Sequence, residues 1–156
     1  MNRPTKENHF QQDHVRLLCS SFQRWTGKPL ISGSYSEVEL ADAIFHAPFA
    51  VLSHNTDADP VLNYGNQIGL DLFEMTWKEW TSMPSRLTAE PLLREERAAL
   101  MKRVTEHGYI DDYSGTRISK TGKRFFIEQA TVWNLVDEEG IYRGQAATFS
   151  DWVPVE

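Results

Sequence analysis

Residues 109–152 read YIDDYSGTRISKTGKRFFIEQATVWNLVDEEGIYRGQAATFSDW, and this stretch decides the fold. Tyr109 to Ser119, Arg124 to Val136 and Ile141 to Trp152 are rich in β-branched and aromatic residues, the composition of strands. Between them, Lys120-Thr121-Gly122-Lys123 and Asp137-Glu138-Glu139-Gly140 each place a glycine near the position where a tight turn needs a positive φ. The stretch is therefore predicted to be an antiparallel meander. Alternation puts Phe125, Ile127, Gln129, Thr131, Trp133 and Leu135 on one face of its central strand, and Phe126, Glu128, Ala130, Val132, Asn134 and Val136 on the other. Both faces are partly apolar. One is expected to cover the core, and the other needs an N-terminal helix or a second subunit to shield it.

Upstream, Thr88 followed by Pro91 opens the longest predicted helix, Ala89 to His107, with Leu93, Ala99 or Leu100, and Val104 as its buried stripe and Gly108 as its stop. Its Arg94, Glu95, Glu96, Arg97, Lys102 and Arg103 read as a solvated face with local ion pairs. Thr76 with Glu79 offers a capping box ahead of Trp77 and Trp80, and Asn66 caps a short helix carrying Ile68, Leu72 and Phe73. Phe49 to His54 and Val61 to Tyr64, joined through Asp57-Ala58-Asp59-Pro60, read as a hairpin. Ser36 and Glu39 box a helix that carries Val38, Ala41, Ile44 and Phe45 inward. Phe10, Val15, Leu18, Phe22 and Trp25 mark one face of a first helix, His9 to Trp25, stopped by Gly27 and Pro29. That stripe either packs on the core or meets a second copy. The order predicts an α+β fold: a five-stranded antiparallel sheet with helices mainly on one face and additional N-terminal helices.

With 156 residues, 40% of them hydrophobic, the chain suits one domain. Residues 1–8 are expected to form a flexible terminus, 9–46 the N-terminal helices and 47–156 the core. Twenty-two acidic against sixteen basic residues, a formal charge of -6, disfavour nucleic acid and anionic membrane as partners. A single cysteine and the absence of an apolar leader point to the cytoplasm. No run approaches the roughly 18 apolar residues of a membrane span. Five Trp, five Tyr and eight Phe are a large aromatic supply, able to close a core or line a pocket.

Val61 to Phe73, in which Asn63-Tyr64-Gly65-Asn66 turns directly from strand to helix, resembles the entry of the PAS fold, and the final meander resembles its last strands. A wider likeness runs from His14 onward. Ala47-Pro48-Phe49-Ala50-Val51-Leu52-Ser53-His54, Asp59-Pro60-Val61-Leu62-Asn63-Tyr64-Gly65-Asn66, Met83-Pro84-Ser85-Arg86-Leu87, Tyr113-Ser114-Gly115-Thr116-Arg117-Ile118-Ser119 and Val132-Trp133-Asn134-Leu135 are similar to the MEKHLA domain, a PAS-related module. That resemblance implies a sensory or ligand-responsive role. The plant transcriptional setting of some members is not expected here.

Candidate chemistry is sparse. Pro84-Ser85-Arg86-Leu87 stands where blue-light PAS domains carry a flavin-reactive cysteine, and Ser85 takes that position. Serine cannot form the thiol adduct, and Cys19 is remote in sequence. Dark flavin binding, or haem held axially by one histidine, stays open as a cofactor reading. His9, His14, His46, His54 and His107 show no paired ligand spacing, so no metal site is expected. Asp57, Asp59, Asp111 and Asp112 read as turn and strand-end acids, and Ser114-Gly115-Thr116 lacks a nucleophile elbow, so no catalytic residue is assigned. The expected pocket lies between sheet and helices, with Asn63, Tyr64, Trp80, Ser85, Arg86, Gln129, Trp133, Asn134, Gln145, Ala147 and Phe149 as its candidates. The leading expectation is a stand-alone sensory domain for an unknown small molecule, signalling through association as a homodimer formed by the first helix or the exposed sheet face. A ligand-free interaction module stands second and a small-molecule enzyme third.

Overall fold

The computed structural model describes residues 1–89 and 94–155. Its elements run α1 (Gln12–Thr26), α2 (Glu37–Phe45), β1 (Ala50–His54), β2 (Leu62–Gly65), α3 (Gln67–Leu72), α4 (Trp77–Trp80), a 3-10 turn (Ser85–Thr88), α5 (Arg94–His107), β3 (Tyr109–Ile118), β4 (Arg124–Val136), β5 (Tyr142–Phe149) and β6 (Asp151–Val155). The strands form one antiparallel sheet in the order β2-β1-β5-β4-β3, with β6 also paired to β4.

The α+β expectation is met, with one change in the meander. The predicted last strand, Ile141 to Trp152, is broken at Ser150 into β5 and β6, so the sheet counts six strands. The break answers an irregularity in β4. Gln129 has φ +50, and its N–H donates to Ser114 Oγ at 3.2 Å. On one side of it Arg124 to Glu128 pair with β6, and on the other Thr131 to Val136 pair with β5. A bulge of this kind shifts side-chain parity by one residue. Ile127 before it, and Ala130 and Val132 after it, therefore line one cavity on the same face of the sheet. Trp133 and Leu135 are buried on the opposite face. The strict alternation expected for β4 holds only within each half.

The two faces carry different layers. On one, α1 lays Val15, Leu18 and Ser21 against β4. Trp133 Nε1 donates to the Leu18 carbonyl at 3.2 Å, Trp25 Nε1 to the Asn134 carbonyl at 2.9 Å, and the Val136 N–H to Ser21 Oγ at 2.9 Å. The apolar stripe of the first helix is thus spent within the chain, and the sheet face offered to a second subunit is covered over that part of β4. On the other face lie α3, α4, the 3-10 turn and α5.

Local signals explain most boundaries. The Ser36–Glu39 and Thr76–Glu79 capping boxes both form. Asn66 does more than cap: its Oδ1 accepts from Gly69 N at 3.1 Å and Val51 N at 3.0 Å, while its Nδ2 donates to the Ile44 and Phe49 carbonyls. A single buried amide thus pins α3, β1 and the end of α2 together. Residues 6–11 form a separate 3-10 segment with left-handed backbone at His9, Phe10 and Gln11, so the first α-helix begins at Gln12, later than expected. Residues 1–8, expected to be frayed, make named contacts: Arg3 lies over the Phe45 ring and donates to Gln67, and the Met1 carbonyl accepts from Trp77 Nε1.

Some expectations fail at single residues. Val38 is exposed because it sits in the first turn of α2, ahead of the face that Ala41, Ile44 and Phe45 bury. Ala99 is exposed, and Leu100 with Val104 takes the stripe. Ala89 is extended rather than helical, following the 3-10 turn. Pro91 and Leu93 lie outside the described residues. Gly108, at φ +94, ends α5 as expected.

Candidate functional site

Between the sheet and α5 lies a cavity of about 40 Å³. Its floor is Leu52 and His54 of β1, Ile127, Ala130 and Val132 of β4, and Gln145, Ala147 and Phe149 of β5. Register explains the convergence: Leu52 pairs with Ala147, His54 with Gln145, and Val132 with Ala147, so these side chains share one face. The roof is Phe73, Ser85, Thr88, Arg97 and Met101, and β3 closes the side with Tyr113 and Arg117.

Two arginines dominate its electrostatics. Arg117 is 8% exposed, lies over the Tyr113 ring at 5.0 Å, is supported by a side-chain hydrogen bond with Tyr113, and donates a longer bond, 3.4 Å, to the Thr116 carbonyl. Arg97 donates from Nη2 to Ser85 Oγ, while its buried Nε finds no partner. Burial, then the neighbouring Arg117 charge, lowers the Arg97 guanidinium to about 10, so it stays cationic at neutral pH. Burial likewise lowers Arg117. Among the described residues no Asp or Glu lines the cavity. His54 adds no third positive charge, because burial, with the Arg97 charge beside it, holds its imidazole below the ordinary value.

Of the expected pocket residues, Ser85, Gln145, Ala147 and Phe149 line this cavity. Asn134 adjoins it as a clamp: its Oδ1 accepts from Gln145 Nε2 at 3.0 Å and its Nδ2 donates to the Val104 carbonyl at 2.9 Å. Gln145 also donates to Thr105 Oγ1 at 3.2 Å, so the pair ties α5 to the sheet. The rest lie elsewhere. Arg86 is an exposed partner of Asp59 at 3.1 Å. Trp80 is wholly buried against Phe73, with its edge over Gly65. The bulge turns Gln129 out to solvent and Trp133 toward α1. Asn63 and Tyr64 face α1, where Asn63 Oδ1 accepts from Ser53 Oγ at 2.6 Å and His14 stacks on Tyr64 with ring centres 5.4 Å apart. Since the Ser53 proton is committed to Asn63, His14 Nε2, 2.9 Å from Ser53 Oγ, must be the donor there. Burial lowers that imidazole to about 4.

Arg97 and Arg117 were missed as site residues, although both carried a signal. Arg97 stands three and seven residues before Leu100 and Val104, on the same helical stripe. Arg117 shares strand parity with Tyr113, and a charge at an inward strand position is an anomaly to be explained. Reading Arg97 with its charged neighbours as a solvated face obscured this.

A flavin or haem does not fit the cavity. On this measure 40 Å³ holds only a few water-sized groups, and a multi-ring cofactor would have to displace Phe73, Met101 or Arg97. Ser85 is buried, with its N–H donating to the Pro60 carbonyl at 2.8 Å. Cys19 is in α1, on the other side of the sheet, its thiol pushed up to about 12 by burial. Among the described residues no group of histidines, cysteines and acids could hold a metal ion, and no helix is long and apolar enough to cross a membrane.

The MEKHLA domain family model matches residues 12–154. The homeobox-leucine zipper protein ATHB-9 of Arabidopsis thaliana is 29% identical over 143 residues, an alignment covering 88% of this chain and 17% of that protein. The chain thus spans a small part, 15% to 17%, of such curated relatives. Among solved structures, a PAS domain from Colwellia psychrerythraea superposes with a TM-score of 0.59 at 14% identity, covering 74% of this chain and 92% of that one. The light-state dimer of the fungal blue-light photoreceptor Vivid gives 0.59 at 13% identity, covering 92% and 94%. These likenesses establish a PAS-like fold.

Proposed function

The chain belongs to the MEKHLA domain family, and from that premise we propose that it is a sensory domain whose input is a small molecule bound between the sheet and α5. The observation that carries the reading is the cavity itself: an apolar space with a few polar groups, roofed by a helix that the Asn134–Gln145 pair ties to the sheet and Arg97 ties to the 3-10 turn. Occupancy that moved Arg97 or Met101 would be felt along α5, which supports a signal read out through that helix. The role is receptive rather than catalytic, and no residue is assigned to turnover. Native mass spectrometry of freshly purified protein tests it. A bound small molecule, lost in Ala147→Trp while the circular dichroism spectrum persists, is the expected result; a protein that stays empty and shows no thermal shift across a broad metabolite panel refutes it.

Association of the domain with a second copy is the alternative output. It is favoured by the dimeric solved neighbour and by Val153, 51% exposed on β6. Sedimentation at high concentration should then show a dimer, and a strict monomer removes this reading.

A further inference from the structure

We infer that the ligand of this cavity is a small monocarboxylate with a short apolar tail, its carboxylate gripped between Arg97 of α5 and Arg117 of β3. The inference rests on the sensory reading above and gives it a ligand class.

A buried guanidinium, Arg117, and a partly buried one, Arg97, whose Nε is enclosed, face one cavity without a counter-ion among the described residues, and they are costly to hold because each loses hydration and repels the other. Neutral partners relieve only part of the cost: Ser85 Oγ for Arg97, and the Tyr113 side chain with the distant Thr116 carbonyl for Arg117. The nearby acids are engaged outside, Asp59 with Arg86 and Asp112 with Arg103. Nε of Arg97 remains an unused donor. An anion placed between the two would satisfy these donors and convert a repulsion into two attractions.

The remaining lining selects which anion. Guanidinium matches a planar two-oxygen acceptor bidentately. Leu52, Phe73, Met101, Ile127, Val132 and Ala147 offer hydrocarbon to whatever is attached to it. The small volume also disfavours a bulkier tetrahedral phosphoryl group with anything attached to it, and the neutral donors beside the arginines are taken: Ser85 is engaged and Gln145 Nε2 is spent on Asn134, Thr105 and the Met101 carbonyl. The small volume keeps the tail short, and Met101 can yield to it. Because the arginines come from different elements, the bound carboxylate bridges α5 to β3 and gives the ligand a direct hold on the helix.

The test uses sodium acetate, butyrate, hexanoate and benzoate at constant ionic strength, with sodium chloride, sodium phosphate, butyramide and benzamide as comparators. Thermal shift and isothermal titration are the readouts. At least one carboxylate should raise Tm in a saturable way while its amide and the inorganic anions do not. Arg97→Met and Arg117→Met should each weaken that binding at least tenfold, and in the absence of ligand should unfold at the same or higher denaturant concentration than the parent. Should Arg117→Met fail to fold, Arg97→Met decides the matter, with amide shifts of β4 and β5 as a second readout. Carboxylates acting no better than chloride, or binding unchanged in both arginine variants, overturn the inference. If the amides bind instead, the sensory reading survives without a carboxylate ligand; if neither panel binds and native spectra show an empty protein, both fall.

Discussion

The two faces of the sheet are built on opposite principles. Toward α1, most polar atoms that meet the sheet are matched within the chain, the buried Tyr64 hydroxyl being the exception: Trp133 and Trp25 donate to backbone carbonyls, Ser21 both donates to and accepts from Val136, and His14, Ser53 and Asn63 form a chain of hydrogen bonds. Toward α5, an apolar cavity persists, and Arg117, buried, and Arg97, partly buried, have no counter-ion among the described residues. A face whose groups are mostly satisfied serves as a scaffold. A face that retains space and unmet charge can take in something else, and that contrast, more than any motif, is what supports the proposed site.

The contrast is broken most severely at Trp133, which is fully buried and bonded to Leu18. Trp133→Ala should cost about 4 kcal/mol in denaturant unfolding, since it empties a large close-packed site and orphans a carbonyl. Gly144 comes next. It has φ +124, and a Cβ there would collide with the His54 carbonyl oxygen on the neighbouring strand. Gly144→Ala should destabilise by about 3 kcal/mol and shift the end of β1 that carries His54 into the cavity.

These residues also show where a sequence is legible. Capping boxes, turn glycines and the strand pattern are local, so Ser36–Glu39, Thr76–Glu79, Gly108 and the meander could be read directly. The bulge could not. Nothing in Glu128-Gln129-Ala130 announces a left-handed glutamine, because the cause is distant: Ser114 across the ladder and the exchange of β5 for β6 as partner of β4. One residue of slippage moved Trp133 and Gln129 out of the expected pocket while Ala147 and Gln145, on the regularly paired stretch of β5, stayed in it. Arg97 was legible by period and lost only because its neighbours are solvated charges.

A milder perturbation is proton uptake. Burial holds His14 at about 4 against an ordinary 6.5, so the unfolded chain binds the proton more tightly. The stability contributed by the neutral ring is therefore full above pH 6.5 and is lost as pH falls toward 4. By pH 5 the loss from this residue is about 2 kcal/mol. His54, also held neutral by burial, acts in the same direction. Glu74 and Glu79, kept at about 2 chiefly by bonds from Ser119 and Lys120, lose their contributions only below 4.5, so the windows separate. Urea titrations at pH 7, 6 and 5 should show the slope, and His14→Gln should flatten most of it. A slope unchanged in that variant would place the sensitivity elsewhere.

The finest comparison sets two adjacent alanines of β5 against each other. Both border the cavity, but Ala147 pairs with Leu52 and Val132 on its floor, whereas Ala146 pairs with Ser53 and Trp133, and both of those side chains bond toward α1. Ala147→Leu places its new methyl groups in existing space, so its cost should stay under about 1 kcal/mol in either direction. Ala146→Leu meets a packed wall and should cost about 2 kcal/mol. Ligand-induced stabilisation should vanish only in the first. Equal costs in urea would mean that the α5 face is as tightly filled as the α1 face, and the asymmetry on which the functional assignment stands would be gone.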